Sequence, residues 1–324
     1  MTELFWDSQD GGRMELKLFS GRGNLELSER IAKAVGCELG KLTIKNFADG
    51  EIFVKFEENI RGADVFVIQS TQPPADNLME LLLIIDAAKR ASAQRITAVI
   101  PYYGYGRQDK KDEPRVPISA KLVADLLTTA GADRVLTLDL HADQIQGYFN
   151  VPLDHLLSTY VIVQHFKNNS ILDLSNTVVV APDVGGTRKA RHVGRALGGL
   201  PIAIVDKWRP APNMVEVMNV IGNVEGKEVL IVDDIIDTGG TIANAAKALK
   251  ERGASRIYCW ATHALLSGRA VERVEEAPLD RLYVSDSIPL RRTSYKIEVV
   301  SVAELLGEAI VRIHEGRSVS SLFV

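Results

Sequence analysis

The segment from Val229 to Thr241, VLIVDDIIDTGGT, contains the residues of this chain best suited to chemistry. An apolar run ends in two adjacent acids, and a turn with two glycines then leads into the helix-forming stretch IANAAKALKE. Such a turn can direct backbone N–H groups at one anion, and the following helix adds unpaired N–H groups and the positive end of its dipole. The sequence therefore predicts a phosphate site at Asp237, Thr238, Gly239, Gly240 and Thr241.

The two acids, Asp233 and Asp234, require a different partner. They would repel a phosphate dianion unless hydroxyl groups or a cation lie between, so we expect them to address the hydroxyls of a diol or a metal ion. A pentose 5-phosphate satisfies both parts of the segment. The alternative is a parallel strand that enters a helix through an ordinary glycine turn, with Asp237 as the N-cap.

Polar residues also close two other apolar runs. Asp139 and His141 follow RVLTL, and Asp183 follows TVVVAP. Ligands of open α/β sheets bind where strands end, although a lone acid or histidine there can equally be a cap. Together with a phosphate turn, the recurrence indicates a hard cation held through oxygen atoms and one imidazole, which fits Mg²⁺ better than Zn²⁺.

Two basic segments follow strand-like runs. Lys207 and Arg209 are spaced to point to the same side of an extended loop that ends near Glu216, where they can neutralise a polyphosphate. Arg107 to Lys111 follows PYYGYG, so an arginine beside tyrosines can stack on a purine. Alone, the first segment is equally consistent with a solvated connector, and a charge run like the second is usually only a solvated surface. No Walker A sequence is present, so a nucleotide must bind by another route.

The elements that position these residues have an α/β rhythm. Short β-branched runs alternate with helical patterns, which predicts parallel sheets covered by helices. A faint similarity between RVLTLDLHADQIQGYF and EVLIVDDIIDTGGTIANA suggests two similar domains that meet near residues 150 to 165; generic α/β patterning is the alternative. The predicted strands are ITAVIP (96–101), RVLTLD (134–139), TVVVA (177–181), PIAIV (201–205), VLIVD (229–233) and IYCWAT (257–262).

Composition excludes several classes of protein. The chain has 324 residues and a net charge of −4, which provides no electrostatic footprint for nucleic acid. No apolar run approaches the roughly 18 to 20 residues of a membrane span. Cys37 and Cys259 belong to no metal or redox motif and are expected in the core, and residues 1–13 are expected to form a loose extension without signal-peptide character. We expect a cytoplasmic protein.

The clusters together resemble one family, the class I ribose-phosphate pyrophosphokinases (phosphoribosyl pyrophosphate synthetases), from about Met14 to the C-terminus. The resemblance implies two phosphoribosyltransferase-like domains, at residues 14–160 and 161–324, each a mainly parallel sheet flanked by helices. It also implies an active site between them, completed by a neighbouring subunit within a hexamer of dimers. The matching segments are NFADGE (46–51), GYGRQDKK, DLHADQIQGYF, APDVGG, DKWRPAPNMVEVMNVIGNVEGK and VDDIIDTGGT.

Site roles carry over residue by residue from this resemblance. It implies ATP binding by Phe47, Asp49, Glu51, Arg107 and Gln108. It implies Mg²⁺ association for His141 and Asp183, catalysis by Lys207 and Arg209, and ribose 5-phosphate binding by Arg209, Asp233, Asp234 and the turn 237–241. Trp208 stands where the family often has arginine, which leaves the two flanking cations in place.

The implied reaction transfers the β,γ-diphosphoryl group of ATP to the anomeric hydroxyl of ribose 5-phosphate and releases AMP. A phosphoribosyltransferase shares the phosphate turn but does not need NFADGE and GYGRQDKK. A non-catalytic regulatory subunit keeps the fold and loses the chemistry, which the presence of His141, Asp183, Lys207 and Arg209 argues against.

A regulatory site is also implied by the resemblance. Arg61 and the C-terminal SVSSLF, with Ser318, Ser320 and Phe323, are similar to parts of the family's site for inorganic phosphate and ADP. Asn59 stands where many members have serine. We therefore expect activation by inorganic phosphate and inhibition by ADP, while a packed tail is the simpler interpretation of SVSSLF.

Overall fold

The computed structural model describes residues 14–208 and 217–322. The extension predicted at residues 1–13 lies outside these ranges, as do Arg209 and Phe323. Within the described ranges the chain forms two mainly parallel sheets covered by helices, which confirms the predicted α/β class.

The first half of the chain forms a five-stranded parallel sheet in the order β1-β4-β5-β6-β7, and β2 and β3 pair as a separate hairpin. Its strands are β1 (Leu16–Ser20), β2 (Leu42–Asn46), β3 (Ile52–Phe56), β4 (Asp64–Ile68), β5 (Arg95–Ile100), β6 (Arg134–Leu138) and β7 (Leu153–Leu156). Its helices are α1 (Leu25–Val35), α2 (Asp76–Arg90) and α3 (Ser119–Ala130), and a 3₁₀ helix covers Asp143–Tyr148.

The second half forms a seven-stranded sheet in the order β10-β9-β8-β11-β12-β13-β14, in which only the pairing of β10 with β9 is antiparallel. Its strands are β8 (Thr177–Ala181), β9 (Ile202–Trp208), β10 (Val217–Ile221), β11 (Glu228–Ile236), β12 (Arg256–Ala264), β13 (Arg281–Ser285) and β14 (Ile297–Val300). Its helices are α4 (Thr159–Asn168), α5 (Thr187–Ala196), α6 (Gly240–Glu251), α7 (Ala270–Glu276) and α8 (Ala303–His314); 3₁₀ helices cover Leu174–Asn176 and Ser320–Leu322.

The six predicted strands all form. One prediction needs correction, because β9 runs to Trp208 instead of ending at Val205, so Lys207 lies at the end of a strand and not in a loop. The physical reason is that β9 pairs antiparallel with β10, from Ile204 with Ile221 to Trp208 with Val217.

One hydrophobic core cluster runs through both halves. It includes Phe66 and Leu136 of the first sheet and Leu230 and Trp260 of the second, which are all fully buried. Helix α8 packs against α1 so closely that a Cβ added to Gly307 would lie 2.8 Å from Cβ of Ala34. Because this cluster contains residues of both sheets, it marks no boundary between two separate cores. The division into domains at residue 160 therefore stays a prediction.

The two cysteines are free thiols. Cys259 is buried in β12 as expected, whereas Cys37 is only half-buried at the edge of the core.

Candidate active site

The polar residues predicted from strand ends meet in one cleft of about 1360 Å³. Since the strands are parallel, their carboxyl ends lie at the same edge, and the N-terminal turns of α5 and α6 begin there. The predicted site residues that line this cleft are Arg107, His141, Asp183, Asp233, Asp234, Asp237, Thr238, Gly239, Gly240 and Thr241.

The turn at residues 237–241 connects β11 to α6. Gly239 has φ +75°, in the left-handed region that favours glycine, and it is the N-cap of α6. A Cβ added to Gly239 would lie 3.2 Å from the carbonyl oxygen of Ala270, so the position also lacks space for a side chain. The interpretation of Asp237 as the N-cap is therefore wrong.

The turn is fixed from behind. The backbone N–H of Ser267 donates to the carbonyl oxygen of Asp237 at 2.9 Å, and Nη1 of Arg273 donates to that of Thr238 at 2.7 Å. These two hydrogen bonds hold the carbonyl groups of the turn in place, so the turn is preorganised. The start of α6 lines the cleft, as an anion site requires.

The adjacent acids have opposite environments. Oδ2 of Asp234 lies 2.7 Å from Nδ1 of His141, and Oδ1 of Asp233 accepts a hydrogen bond from the backbone N–H of Asp234 at 2.8 Å. Burial and the neighbouring charge of Asp234 raise the pKa of Asp233 well above its ordinary value. Burial also acts to raise the pKa of Asp234, but the hydrogen bond from His141 and the charge of Lys189 more than offset it and lower that pKa.

His141 complements Asp234. The hydrogen bond to Asp234 raises the pKa of the imidazole, although burial acts in the opposite direction. The side chain of Asp183 lies elsewhere on the cleft wall, where Oδ1 accepts a hydrogen bond from the backbone N–H of Gly186 at 3.0 Å. The two residues predicted to associate with Mg²⁺ thus share a cleft, although in the described part of the chain their side chains hydrogen-bond to different partners.

The donor chemistry of the cleft fits Mg²⁺, since Asp183, Asp233 and Asp234 supply carboxylate oxygens. Among residues 14–208 and 217–322, no three His, Cys, Asp or Glu side chains are grouped as a metal site. Mg²⁺ commonly uses one or two carboxylates together with water and substrate phosphates, so such a site needs no larger protein cluster.

The predicted ATP residues divide into two groups. Nη1 of Arg107 donates to Oδ2 of Asp237 at 2.7 Å, which places it at the cleft. Gln108 accepts a hydrogen bond from Oγ of Ser119 at 2.5 Å, and in the described ranges it does not line the cleft.

The hairpin residues lie apart from the cleft as well. Phe47 is 51% exposed and contacts Phe53 edge-to-face, while Asp49 caps the turn by accepting from the backbone N–H of Glu51 at 3.0 Å. In the described part of this chain, the cleft that contains Arg107 is not lined by Phe47, Asp49 or Glu51.

The regulatory residues are also separated. The backbone N–H of Arg61 donates to Oδ1 of Asn59 at 3.1 Å, and that of Ser320 donates to Oγ of Ser318 at 3.1 Å. Within the described ranges, no hydrogen bond joins Arg61 to the C-terminal serines.

Sequence reasoning missed Lys189. Its side chain is 19% exposed, and its Nζ lies 2.7 Å from Oδ2 of Asp139 beside the cleft. The only signal in the sequence was a lysine in the charged stretch TRKARHVGRA, which is typical of a solvated helix face. The contact depends on a residue fifty positions earlier in the chain, so it could not be inferred from spacing.

No helix in the described ranges is long and apolar enough to cross a membrane.

Comparison with known proteins gives a consistent result. Residues 16–131 match the family described as the N-terminal domain of ribose phosphate pyrophosphokinase, and residues 209–324 match the phosphoribosyl synthetase-associated domain. A ribose-phosphate pyrophosphokinase of Chlorobaculum tepidum is 57% identical over 309 residues, which are 95% of each chain. Ribose-phosphate pyrophosphokinase 1 of Listeria monocytogenes is 55% identical over 312 residues, 95% of this chain and 97% of the relative.

A solved structure agrees with the sequence relatives. The crystal structure of phosphoribosylpyrophosphate synthetase from Mycobacterium smegmatis has a TM-score of 0.87 at 43% identity, covering 93% of this chain and 99% of the other.

Proposed function

Because this chain belongs to the ribose-phosphate pyrophosphokinase family and is an enzyme of that type, we propose that its cleft transfers the diphosphoryl group of ATP to ribose 5-phosphate. The products are 5-phosphoribosyl 1-diphosphate, used in nucleotide biosynthesis, and AMP. The observation that supports the assignment of the site is the meeting of Arg107 and His141 with Asp234 and the 237–241 turn around one cleft.

The acceptor half of the site consists of the turn and the two acids. The 5-phosphate of the sugar binds at residues 237–241, where the start of α6 and the fixed loop favour an anion. Asp233 and Asp234 then address the ribose hydroxyls, because they lie in the last four residues of β11, which leads into the turn. This arrangement holds the anomeric hydroxyl at a set distance from the donor.

The donor half consists of Arg107, Lys207 and Arg209, with Gln108 and the hairpin residues Phe47, Asp49 and Glu51 supplied by a neighbouring subunit. The hairpin position supports that division, because Phe47 is exposed and lies apart from the cleft of its own chain. We therefore propose a homo-oligomer, built as a hexamer of dimers, in which Phe47 completes the ATP site of the next subunit.

In the transfer, the anomeric oxygen forms a bond to the β-phosphorus of ATP, and the bond from that phosphorus to the α,β-bridging oxygen breaks. AMP leaves with the bridging oxygen, and the hydroxyl proton is released to solvent. Lys207 and Arg209 neutralise charge on the transferred phosphates, and positioning by the turn supplies the remaining catalysis. When bound by Asp183 and the His141–Asp234 pair, Mg²⁺ supplies further charge neutralisation on the phosphate oxygens.

The decisive experiment incubates the purified protein with ATP, Mg²⁺ and ribose 5-phosphate and measures AMP and activated sugar. A synthetase forms the two in equal amounts. A phosphoribosyltransferase consumes activated sugar without making AMP from ATP, and a regulatory subunit forms neither product, so either result would contradict the proposal.

We also propose a cytoplasmic enzyme that inorganic phosphate activates and ADP inhibits, through Arg61, Ser318, Ser320 and Phe323. The exposed position of Arg61 supports the regulatory part, because its guanidinium is accessible to an anion. A titration of inorganic phosphate at fixed substrates tests it. Activity should rise in the wild type and rise less in Arg61→Ala, whereas a flat wild-type response would reject the regulatory site.

A further inference from the structure

Lys189 is a largely buried cation that the proposed transfer does not use. It lies in the first turn of α5, and its Nζ is 2.7 Å from Oδ2 of Asp139 and 3.1 Å from Oγ1 of Thr262. An ammonium group carries three N–H donors. Since two of them are engaged by the protein, Lys189 is poorly placed to bind a substrate phosphate directly.

Asp139 is the acceptor on which this cluster converges. Its Oδ2 also accepts hydrogen bonds from Oγ of Ser158 and Oγ1 of Thr262, each at 2.5 Å, and its Oδ1 accepts from the backbone N–H of Ser158 at 3.1 Å. The residue is only 5% exposed. A buried carboxylate is tolerated only when it is paired and hydrogen-bonded, so Lys189 is the cation that allows Asp139 to remain charged here.

The cluster joins the two halves of the molecule. Asp139 directly follows β6 of the first sheet, whereas Lys189 belongs to α5 and Thr262 to β12 of the second. His263, the next residue of β12, adds a bond from Nε2 to the carbonyl oxygen of Asp139 at 3.0 Å. The end of β6 is therefore held to the second sheet through both its side chain and its backbone.

This attachment determines the position of His141. Asp139 has φ +39°, a left-handed conformation that an aspartate keeps only when its surroundings enforce it. The next N–H, of Leu140, donates to Nε2 of His155 at 2.8 Å, and His141 follows with Nδ1 2.7 Å from Oδ2 of Asp234. Thus only Leu140 separates Asp139 of the buried ion pair from His141 at the cleft.

We propose that Lys189 is a positioning residue for diphosphoryl transfer, which fixes His141 against Asp234 by anchoring Asp139 and the left-handed backbone after β6 to the second sheet. The inference rests on the proposed function of the cleft. It extends that function by assigning a role to a residue that itself contacts neither substrate.

The test compares Lys189→Met with Lys17→Met in the full-length protein. Lys17, on β1, is a matched control. Its side chain is 15% exposed, and its Nζ lies 2.9 Å from Oε2 of Glu58, so it is also a largely buried lysine in an ion pair. We expect Lys189→Met to lower kcat by about 10- to 100-fold, the range for residues that orient metal-associated histidines, with a much smaller change in the KM for ribose 5-phosphate. Lys17→Met should leave kcat close to wild type.

A second measurement is independent of turnover. In the metal-free protein, amide hydrogen exchange of residues 138–143 should be faster in Lys189→Met than in wild type, and unchanged in Lys17→Met. Lys189→Arg keeps the charge and should restore most of the lost kcat. An unaltered kcat in folded Lys189→Met, unaltered exchange at residues 138–143, or an equal loss of kcat in Lys17→Met would each overturn the proposal.

Thr262→Val decides the question if Lys189→Met does not fold. It keeps both charges and nearly the same volume while removing the hydroxyl that bridges Lys189 and Asp139. A lower kcat with faster exchange at residues 138–143 supports the positioning role, and wild-type values for both reject it. Formation of AMP by the wild type tests the function separately, so an active wild type with unaffected variants removes only this inference.

Discussion

The imidazole Nδ1 of His141 lies 2.7 Å from Oδ2 of Asp234, and this contact connects the end of β6 in the first sheet to β11 in the second. The pair combines an imidazole whose pKa is raised by the hydrogen bond to Asp234 with a carboxylate whose pKa is lowered despite its burial. Each partner favours the charged form of the other, so the contact is an ion pair. Because its two residues come from different sheets, this ion pair links the two halves of the cleft.

Replacement of Asp234 by Asn should weaken this pair and the response to Mg²⁺. We expect activity to fall by about 10- to 100-fold, with a higher half-saturating Mg²⁺ concentration, because the carboxylate that orients the imidazole is lost. Steady-state AMP formation over a range of Mg²⁺ concentrations measures the change. Asp86→Asn is the control, since Asp86 pairs with Arg90 on an exposed face of α2. An identical Mg²⁺ dependence in Asp234→Asn and wild type would contradict the role of the pair.

Substitution of Gly239 by Ala should impair the binding of ribose 5-phosphate more than that of ATP. Its φ of +75° and the 3.2 Å separation of an added Cβ from the carbonyl oxygen of Ala270 both force the turn to change. The matched variant is Gly240→Ala, whose added Cβ would meet only Oγ1 of Thr238 at 3.8 Å, so we expect a smaller rise in KM. Kinetics with each substrate varied in turn provide both constants. An equal rise for ATP and ribose 5-phosphate in Gly239→Ala would argue against a dedicated phosphate turn.

Removal of the two predicted catalytic cations, in Lys207→Ala with Arg209→Ala, should lower turnover by at least about 10³, the scale of strong electrostatic catalytic groups. Folding should be retained, which circular dichroism checks. The control is Arg90→Ala, because that arginine is 78% exposed and pairs with Asp86 on the same helix. Near-normal turnover in the double variant would reject the assignment of the two cations.

Acidification should lower the free energy of unfolding, because it protonates His155. The ring of His155 accepts a hydrogen bond from the N–H of Leu140, the residue before His141. Burial lowers the pKa of His155 below its ordinary value of 6.5; nearby Asp139 and Asp143 act to raise it, and Lys189 and Arg188 act to lower it. The unfolded chain therefore binds a proton that the folded chain does not, so stability is fully present above 6.5 and is lost as pH falls through the lower folded pKa.

Urea unfolding at about pH 7.5 and about pH 5.5, the range in which histidines titrate, measures this contribution. The free energy of unfolding should drop more on acidification in wild type than in His155→Gln, which lacks the titrating group. The opposite order would show that His155 is not held neutral by the N–H of Leu140.

Much of the site could be predicted because parallel α/β folds place ligands at strand ends. The strand that carries Asp233 and Asp234 and the turn that follows are contiguous in sequence, and their chemistry depends on local backbone conformation. The alternative interpretation, with Asp237 as the N-cap of α6, fails because local sequence does not show which residue Asp237 contacts. Asp237 instead pairs with Arg107, a residue 130 positions earlier in the chain, while Gly239 caps the helix.

The sequence by itself determined the α/β class, six of the described strands and the family, since each is encoded in short runs of residues or in motifs with fixed spacing. Only the tertiary structure decided which charges meet. The contacts of His141 with Asp234, Arg107 with Asp237 and Lys189 with Asp139 join segments 93, 130 and 50 residues apart. The physical reason is that buried and cross-sheet charges are stabilised by partners that the packing of two sheets brings together, and sequence spacing does not record that packing.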